Sequence, residues 1–191
     1  GHTEVVKLLL QAPDIAVNLQ NKSGYTALMR ASEKGHTEVV KLLLQAPDIA
    51  VNLQNKSGYT ALMRASEKGH TEVVKLLLQA PDIAVNVQDK YGKTALMRAS
   101  DNGHAEVVKL LLQAPDIAVN LQDKYGYTAL MRASFNGHTE VVKLLLQAPD
   151  IAVNLQDKYG YTALMRASFN GHTEVVKLLL QAPDIAVNLQ D

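Results

Sequence analysis

Apolar positions along the chain fall into two alternating clusters, one sparse and one dense. The sparse cluster is Thr60-Ala-Leu-Met-Arg-Ala-Ser-Glu67. Ala61, Leu62, Ala65 and Ser66 are small or apolar there at i, i+3 and i+4 spacing. This pattern predicts an amphipathic helix with Thr60 as N-cap and Gly69 as its left-handed stop. The dense cluster runs from Thr71 to Ala80. Val73, Val74, Leu76, Leu77 and Leu78 are apolar almost all round, which predicts a helix buried on several sides. Glu72 suits its first turn and lies within reach of Lys75. Pro81 ends it, because the residue before a proline leaves the α region. Neither helix is long enough to be stable alone, so packing must hold both. Between Pro81 and Gly92, the turn residues Asp82, Asn86 and Asp89 surround the β-prone run Ile83-Ala84-Val85. An extended, hairpin-like loop is expected there.

The whole pattern repeats every 34 residues, restarting at Gly1, Gly35, Gly69, Gly103, Gly137 and Gly171. A fixed period of this length predicts a stacked solenoid, in which each unit contacts its neighbours. A partial unit, 1–20, precedes five full ones at 21–54, 55–88, 89–122, 123–156 and 157–190. One domain over 1–191 is the expected organisation. Small residues in the first helix and leucines in the second predict closer approach along the first-helix row, and so a concave side there.

Composition narrows the partners. Lys and Arg number 19 and Asp and Glu 19, so the formal charge is zero. No basic excess points to nucleic acid or an anionic membrane. The chain has no cysteine and no apolar run of membrane-spanning length. With no targeting signal in view, the expectation is a soluble chain of unassigned compartment, cytoplasmic if expressed as it stands. The mid-unit opening reads as a piece of a longer protein.

Chemistry-bearing residues form ladders rather than clusters. His2, His36, His70, His104, His138 and His172 recur one per unit. Stacked helices lie about 8–10 Å apart, too far for zinc ligands at about 2.0–2.3 Å from one ion. Helix-start capping is their expected role. Arg30, Arg64, Arg98, Arg132 and Arg166 read as a row neutralised by Asp and Glu, with an acid-binding strip as the alternative. The Met29, Met63, Met97, Met131 and Met165 row reads as core filling. Lys124 and Asp123 at a loop tip are expected to be solvated. Ser32, Ser66, Ser100, Ser134 and Ser168 have no histidine base at a sensible distance. No phosphate-binding glycine loop or paired-carboxylate cleft is present. The expectation is a protein that is not an enzyme, with no catalytic residue, metal ligand or cofactor.

Gly-Tyr-Thr-Ala-Leu-Met-Arg-Ala-Ser followed by Asn-Gly-His-Thr-Glu-Val-Val-Lys-Leu-Leu-Leu, from Gly126 to Leu146, resembles the ankyrin repeat. The resemblance covers the whole chain. It implies helix–turn–helix–hairpin units, stacked into a curved solenoid and used for binding proteins. The family's Thr-Pro-Leu-His stands here as Thr-Ala-Leu-Met (Thr128 to Met131), and Arg132 replaces a frequent leucine. Pro-Asp-Ile-Ala replaces Gly-Ala-Asp after the second helix and is one residue longer, which implies a differently shaped hairpin. The tetratricopeptide repeat shares the period but needs longer helices, bulky internal aromatics and almost no loop.

Aligned with itself, the chain varies mainly at five positions per unit. Asn55, Ser57, Tyr59, Glu67 and Lys68 become Asp89, Tyr91, Lys93, Asp101 and Asn102. They then become Asp123, Tyr125, Tyr127, Phe135 and Asn136, and this set returns as Asp157, Tyr159, Tyr161, Phe169 and Asn170. All seven tyrosines and both phenylalanines occupy such positions. In the resembled fold these loop tips and first-helix ends line the concave recognition face, and designed ankyrin repeat proteins are diversified there. Aromatic anchors beside Asn and Asp have the composition of a binding surface. The expected protein-binding residues are Tyr91, Lys93, Asp101, Asn102, Tyr125, Tyr127, Phe135, Asn136, Tyr159, Tyr161, Phe169 and Asn170.

Two functions follow. One is a non-catalytic protein-binding module with an unknown target on that face. The other is an engineered, consensus-like scaffold without a natural partner. Near-identity of the units favours an artificial origin, a recent natural duplication being the rival. The apolar faces of 3–12 and 173–182 add end-to-end self-association as a further reading.

Overall fold

A computed structural model describes residues 1–188. Residues 189 and 190, the close of the last expected unit, and Asp191 lie outside the described residues. In chain order the helices are α1 (Thr3–Leu10), α2 (Ala27–Glu33), α3 (Thr37–Leu44), α4 (Ala61–Lys68), α5 (Thr71–Leu78), α6 (Ala95–Asp101), α7 (Ala105–Leu112), α8 (Ala129–Asn136), α9 (Thr139–Leu146), α10 (Ala163–Phe169) and α11 (Thr173–Leu180). No strand occurs among the described residues, so the chain is the all-α repeat solenoid that its period predicts. From α2 on, even-numbered helices pair with the odd-numbered helix that follows and stack on the even-numbered helices one unit away; odd-numbered helices stack likewise.

Local signals act as read. The Thr128 hydroxyl accepts a hydrogen bond from the Met131 backbone N–H at 3.2 Å, satisfying a free donor of the first turn. Gly137 closes α8 at φ 73°. The core is one continuous column, aliphatic apart from Tyr59. Met97 and Met131 are 1% exposed, so the methionine row fills space between units.

Three details depart from expectation. The second helix stops at Leu78 rather than Ala80. There the Gln79 and Ala80 amides bond three residues back, to Leu76 and Leu77, because Pro81 tightens the last turn. The Ile83–Val85 run forms no hairpin strand. Asp82 turns the chain at φ 59°, and the Asn86 side chain then ties each loop to the next. Its amide donates to the Asp116 carbonyl at 2.6 Å while its oxygen accepts from Ala118 N at 2.9 Å. The histidines sit at helix starts but make no capping bond. His138 and His172 instead place Nε2 3.0 and 2.9 Å from the Asp101 and Phe135 carbonyls of the preceding unit. The neighbouring unit's helix end offers an acceptor within the ring's reach, so the bond runs between units.

Ser32, Ser66, Ser100 and Ser134 are buried, and Ser168 in the last unit is exposed. Ser100 is 0% exposed, and its hydroxyl has no hydrogen-bond partner. An unsatisfied buried hydroxyl opposes folding. Ser100→Ala is expected to raise stability by about 1 kcal/mol, measured as the shift in calorimetric midpoint. A fall of similar size would show that the hydroxyl is satisfied in solution.

Candidate functional site

Each unit projects a short finger between its Asp or Asn and the threonine that starts the next first helix. In the fourth full unit, Asp123 closes this finger. Its Oδ1 accepts from the Tyr125 and Tyr127 amides at 2.8 and 3.0 Å, and the Asp123 amide donates to the Tyr127 carbonyl at 3.0 Å. Gly126 lies beneath the tip at φ 83°. A Cβ there would stand 2.7 Å from the Lys158 backbone nitrogen, so only glycine fits. Successive fingers are pinned together, Lys124 N to Tyr91 O at 2.9 Å and Lys158 N to Tyr125 O at 3.0 Å. The tips therefore form one registered row.

Asp123 is not solvated, contrary to its expected role. Its carboxylate is 0% exposed and pairs with Arg132. Asp89 pairs with Arg98 and Asp157 with Arg166 in the same manner, the latter also through Arg166 Nε at 2.8 Å. All three carboxylates are 0% exposed, which sequence at a turn cannot announce. The lysine beside it, Lys124, is exposed as expected.

In the first two full units the counter-charge sits elsewhere. Asn21 and Asn55 make the same bonds to the finger amides but carry no charge. The arginines use helix-end glutamates instead. Arg30 reaches Glu33 at 2.8 Å, and Arg64 reaches Glu67 at 3.0 Å. Arg98 uses both kinds, Asp89 and, at 3.3 Å, Glu67. Burial works against its charge, but its hydrogen bond to Asp89, with Tyr59, Asp89 and Glu67 close by, raises its pKa nonetheless. Exchanging Asn for Asp moves the arginine's partner into the finger and releases the helix-end position. Asp101, Phe135 and Phe169 fill it. The arginine row is neutralised by Asp and Glu as read, but sequence reading did not assign the finger carboxylates to it. The signal was the paired change from Asn with Glu to Asp with Phe.

The twelve expected binding residues divide into two layers. Tyr91, Tyr125 and Tyr159 stand out at the finger tips, 53%, 49% and 63% exposed, and Phe169 is 80% exposed. Phe135, Asn102, Asn136 and Asn170 are exposed beside them. Tyr127 and Tyr161 lie half-buried in a lower layer, Tyr127 between two arginines and Tyr161 beside one. The Arg132 guanidinium lies 4.2 Å from the Tyr127 ring, and Arg166 lies 4.8 Å from Tyr127 and 4.4 Å from Tyr161. Tyr127 meets Phe135 edge-on at 6.5 Å. Lys93 and Asp101 engage each other at 2.8 Å, where the following unit has this aromatic pair. Two grooves run along the row. One, of about 500 Å³, is floored by Tyr127, Arg98 and Arg132 and walled by Tyr91, Tyr125 and Tyr159. The other, of about 300 Å³, continues past Tyr161 and Arg166 to Phe169.

Burial raises the Tyr127 phenol pKa, against the lowering effect of Arg166 and Arg132, and raises that of Tyr59 against Arg98 and Arg64. A folded-state pKa above the unfolded one gives stability that is complete below the unfolded value and is lost as pH rises through the folded one. Alkaline ultraviolet titration should therefore show a late-ionising phenol fraction that shrinks in Tyr59→Phe and Tyr127→Phe. An unchanged curve would contradict this burial.

Among the described residues no group of His, Asp and Glu could hold a metal ion, and no helix is long and apolar enough to cross a membrane.

Residues 47–123 and 115–191 match a family of ankyrin repeats in three copies, and residues 8–62 match ankyrin repeats in many copies. The crystal structure of EF0377, an ankyrin repeat protein, is similar at a TM-score of 0.88 and 31% identity, covering 94% of this chain and 92% of that one. No curated protein matches the chain.

Proposed function

From the chain's membership of the ankyrin repeat family, whose members are typically non-catalytic and mediate protein–protein interaction, we propose that this protein binds a protein target on the face made by its finger tips and first helices. The observation that carries this reading is the registered aromatic row. Tyr91, Tyr125, Tyr159, Phe135 and Phe169 are all exposed, and they share a face with the two grooves. Large side chains left in water on a rigid frame fit the anchors of a binding surface. Tyr127, Tyr161, Lys93 and Asp101 contribute chiefly by holding that frame, and Asn102, Asn136 and Asn170 supply adaptable hydrogen bonds beside it.

Tyr125→Ala, Phe135→Ala, Tyr159→Ala and Phe169→Ala combined should leave the unfolding midpoint within a few degrees of wild type. The same variant should lower affinity for a captured partner by about a hundredfold or more. Unchanged affinity in a pull-down would remove this face from the function. A second reading rests on the exposed Val5, Leu8 and Leu9 of α1 and Leu180 of α11. These sit on faces that pack between units elsewhere, so copies would stack end to end. Near-identity of the units is consistent with an engineered scaffold used in this way. Light scattering that gives one mass at all concentrations would exclude that stacking.

A further inference from the structure

Three asparagines precede a glycine: Asn102-Gly103, Asn136-Gly137 and Asn170-Gly171. Each of the others precedes Leu, Lys or Val. All three end a first helix and are exposed. An asparagine before glycine is prone to attack on its own side chain, because the glycine nitrogen is unshielded and its backbone bends freely.

The folded helix end restrains that attack. The Asn102, Asn136 and Asn170 side-chain amides donate to the Arg98, Arg132 and Arg166 carbonyls at 2.8, 3.0 and 2.9 Å. The glycine N–H groups donate to the Ser100, Ser134 and Ser168 carbonyls at 3.4, 3.3 and 3.1 Å. At Asn102 and Asn170, ψ of 0° and 2° turns the glycine nitrogen towards the asparagine's own nitrogen and away from Cγ. Ring closure therefore needs the last turn to open first, and its rate follows the population of that open form.

The three ends do not open equally. His138 Nδ1 lies 2.7 Å from the place a Cβ on Gly103 would take, and His172 Nδ1 lies 2.6 Å from that place on Gly137. Gly171 has nothing within 4 Å there. Helix α6 packs between α4 and α8 and buries six of its seven residues. Helix α10 packs on α8 and α11 and buries only Ala163 and Ala167. Local opening is easiest where the least buried contact is lost. Residues 123–156 and 157–190 are identical in sequence, so only their place in the stack separates Asn136 from Asn170.

We propose that Asn170 is a site of spontaneous deamidation, and that the fold protects Asn102 and Asn136. The Gly171 nitrogen bonds to Asn170 Cγ, and the Cγ–Nδ2 bond breaks. Ammonia leaves, taking the proton released by the glycine nitrogen. Water then opens the cyclic imide at either carbonyl, giving aspartate or a backbone routed through the side chain. Both products lose the amide that donates to Arg166 and place a carboxylate at a helix C-terminus, beside the exposed Phe169. The step does not depend on the protein-binding reading, but it changes the charge of the face that reading uses.

Identical units yield identical peptides, so the test uses two full-length variants, Asn136→Gln and Asn170→Gln. Each keeps one of the two matched pairs. Both are held folded at mildly alkaline pH, and peptide mass mapping follows the conversion of amide to acid over time. Asn170 in the first should convert at least about tenfold faster than Asn136 in the second. In urea the two rates should agree, since the stack that separates them is gone. Equal rates in the folded chains, a faster Asn136, or no conversion of folded Asn170 over the time that converts it in urea would overturn the proposal.

Discussion

Asp123→Ala is expected to cost about 3–5 kcal/mol of unfolding free energy. The side chain is fully buried, and three groups depend on it: the Arg132 guanidinium and the amides of Tyr125 and Tyr127. Alanine leaves all three without that acceptor. Because Arg132 keeps a solvent-exposed edge, the cost should fall near the lower end. The chain contains its own control. Asn55 makes the equivalent amide bonds without a charge. Asp123→Asn should therefore keep the finger closed and lose only the ion pair, about 1.5–3 kcal/mol. Urea unfolding checks both, provided the slope is unchanged. An alanine variant within about 1 kcal/mol of wild type, or an asparagine variant as damaged as alanine, would refute the role assigned to this carboxylate. Introducing Glu at position 135 beside Asp123→Asn should restore part of the loss, as in the unit that holds Arg64 and Glu67.

Leu111→Ala should cost a further class of interaction, about 2.7–5 kcal/mol. Leu111 is 0% exposed at the middle of the stack, in α7, which packs against both α5 and α9. A cavity there removes contact from both sides at once. In a solenoid, stability is a sum of unit and neighbour contributions, so a central defect uncouples the two halves. Hydrogen exchange should then show faster opening in α7 and its neighbours than in α3. A loss under about 1.5 kcal/mol would mean that the units close around the gap. The proposed binding face should lose little geometry in its tips, which are pinned by backbone bonds between fingers rather than by Leu111.

Both substitutions bear on the same design. The exposed row of Tyr91, Tyr125 and Tyr159 is placed by bonds beneath it, and the carboxylates of the ion pairs that hold it are buried. A partner's affinity should therefore respond to the finger carboxylates indirectly, through the order of the tips.

Much of this was legible in the residues themselves. The 34-residue period, Thr128 as N-cap, Gly137 as left-handed stop and the methionines as core depend on neighbours within a few positions or on exact repetition. Local backbone chemistry and hydrophobic spacing decide such features, so sequence by itself determined the helices, their pairing and the stacked architecture. The site was legible only as a set of varied positions. Tyr125 and Tyr127 stand two residues apart in one finger, yet the first meets solvent and the second lies between two arginines. Asp123 reads as a turn residue and is a buried ion-pair partner. His138 reads as a cap and bonds to the unit before it. For His138 the deciding carbonyl lies 37 residues back, and for Tyr127 one of the two arginines belongs to the next unit, while Asp123 pairs with Arg132, nine residues on in its own unit. Only the folded stack could decide them, because burial and partner choice at a turn are set by the side chains packed around it and not by the turn's own residues.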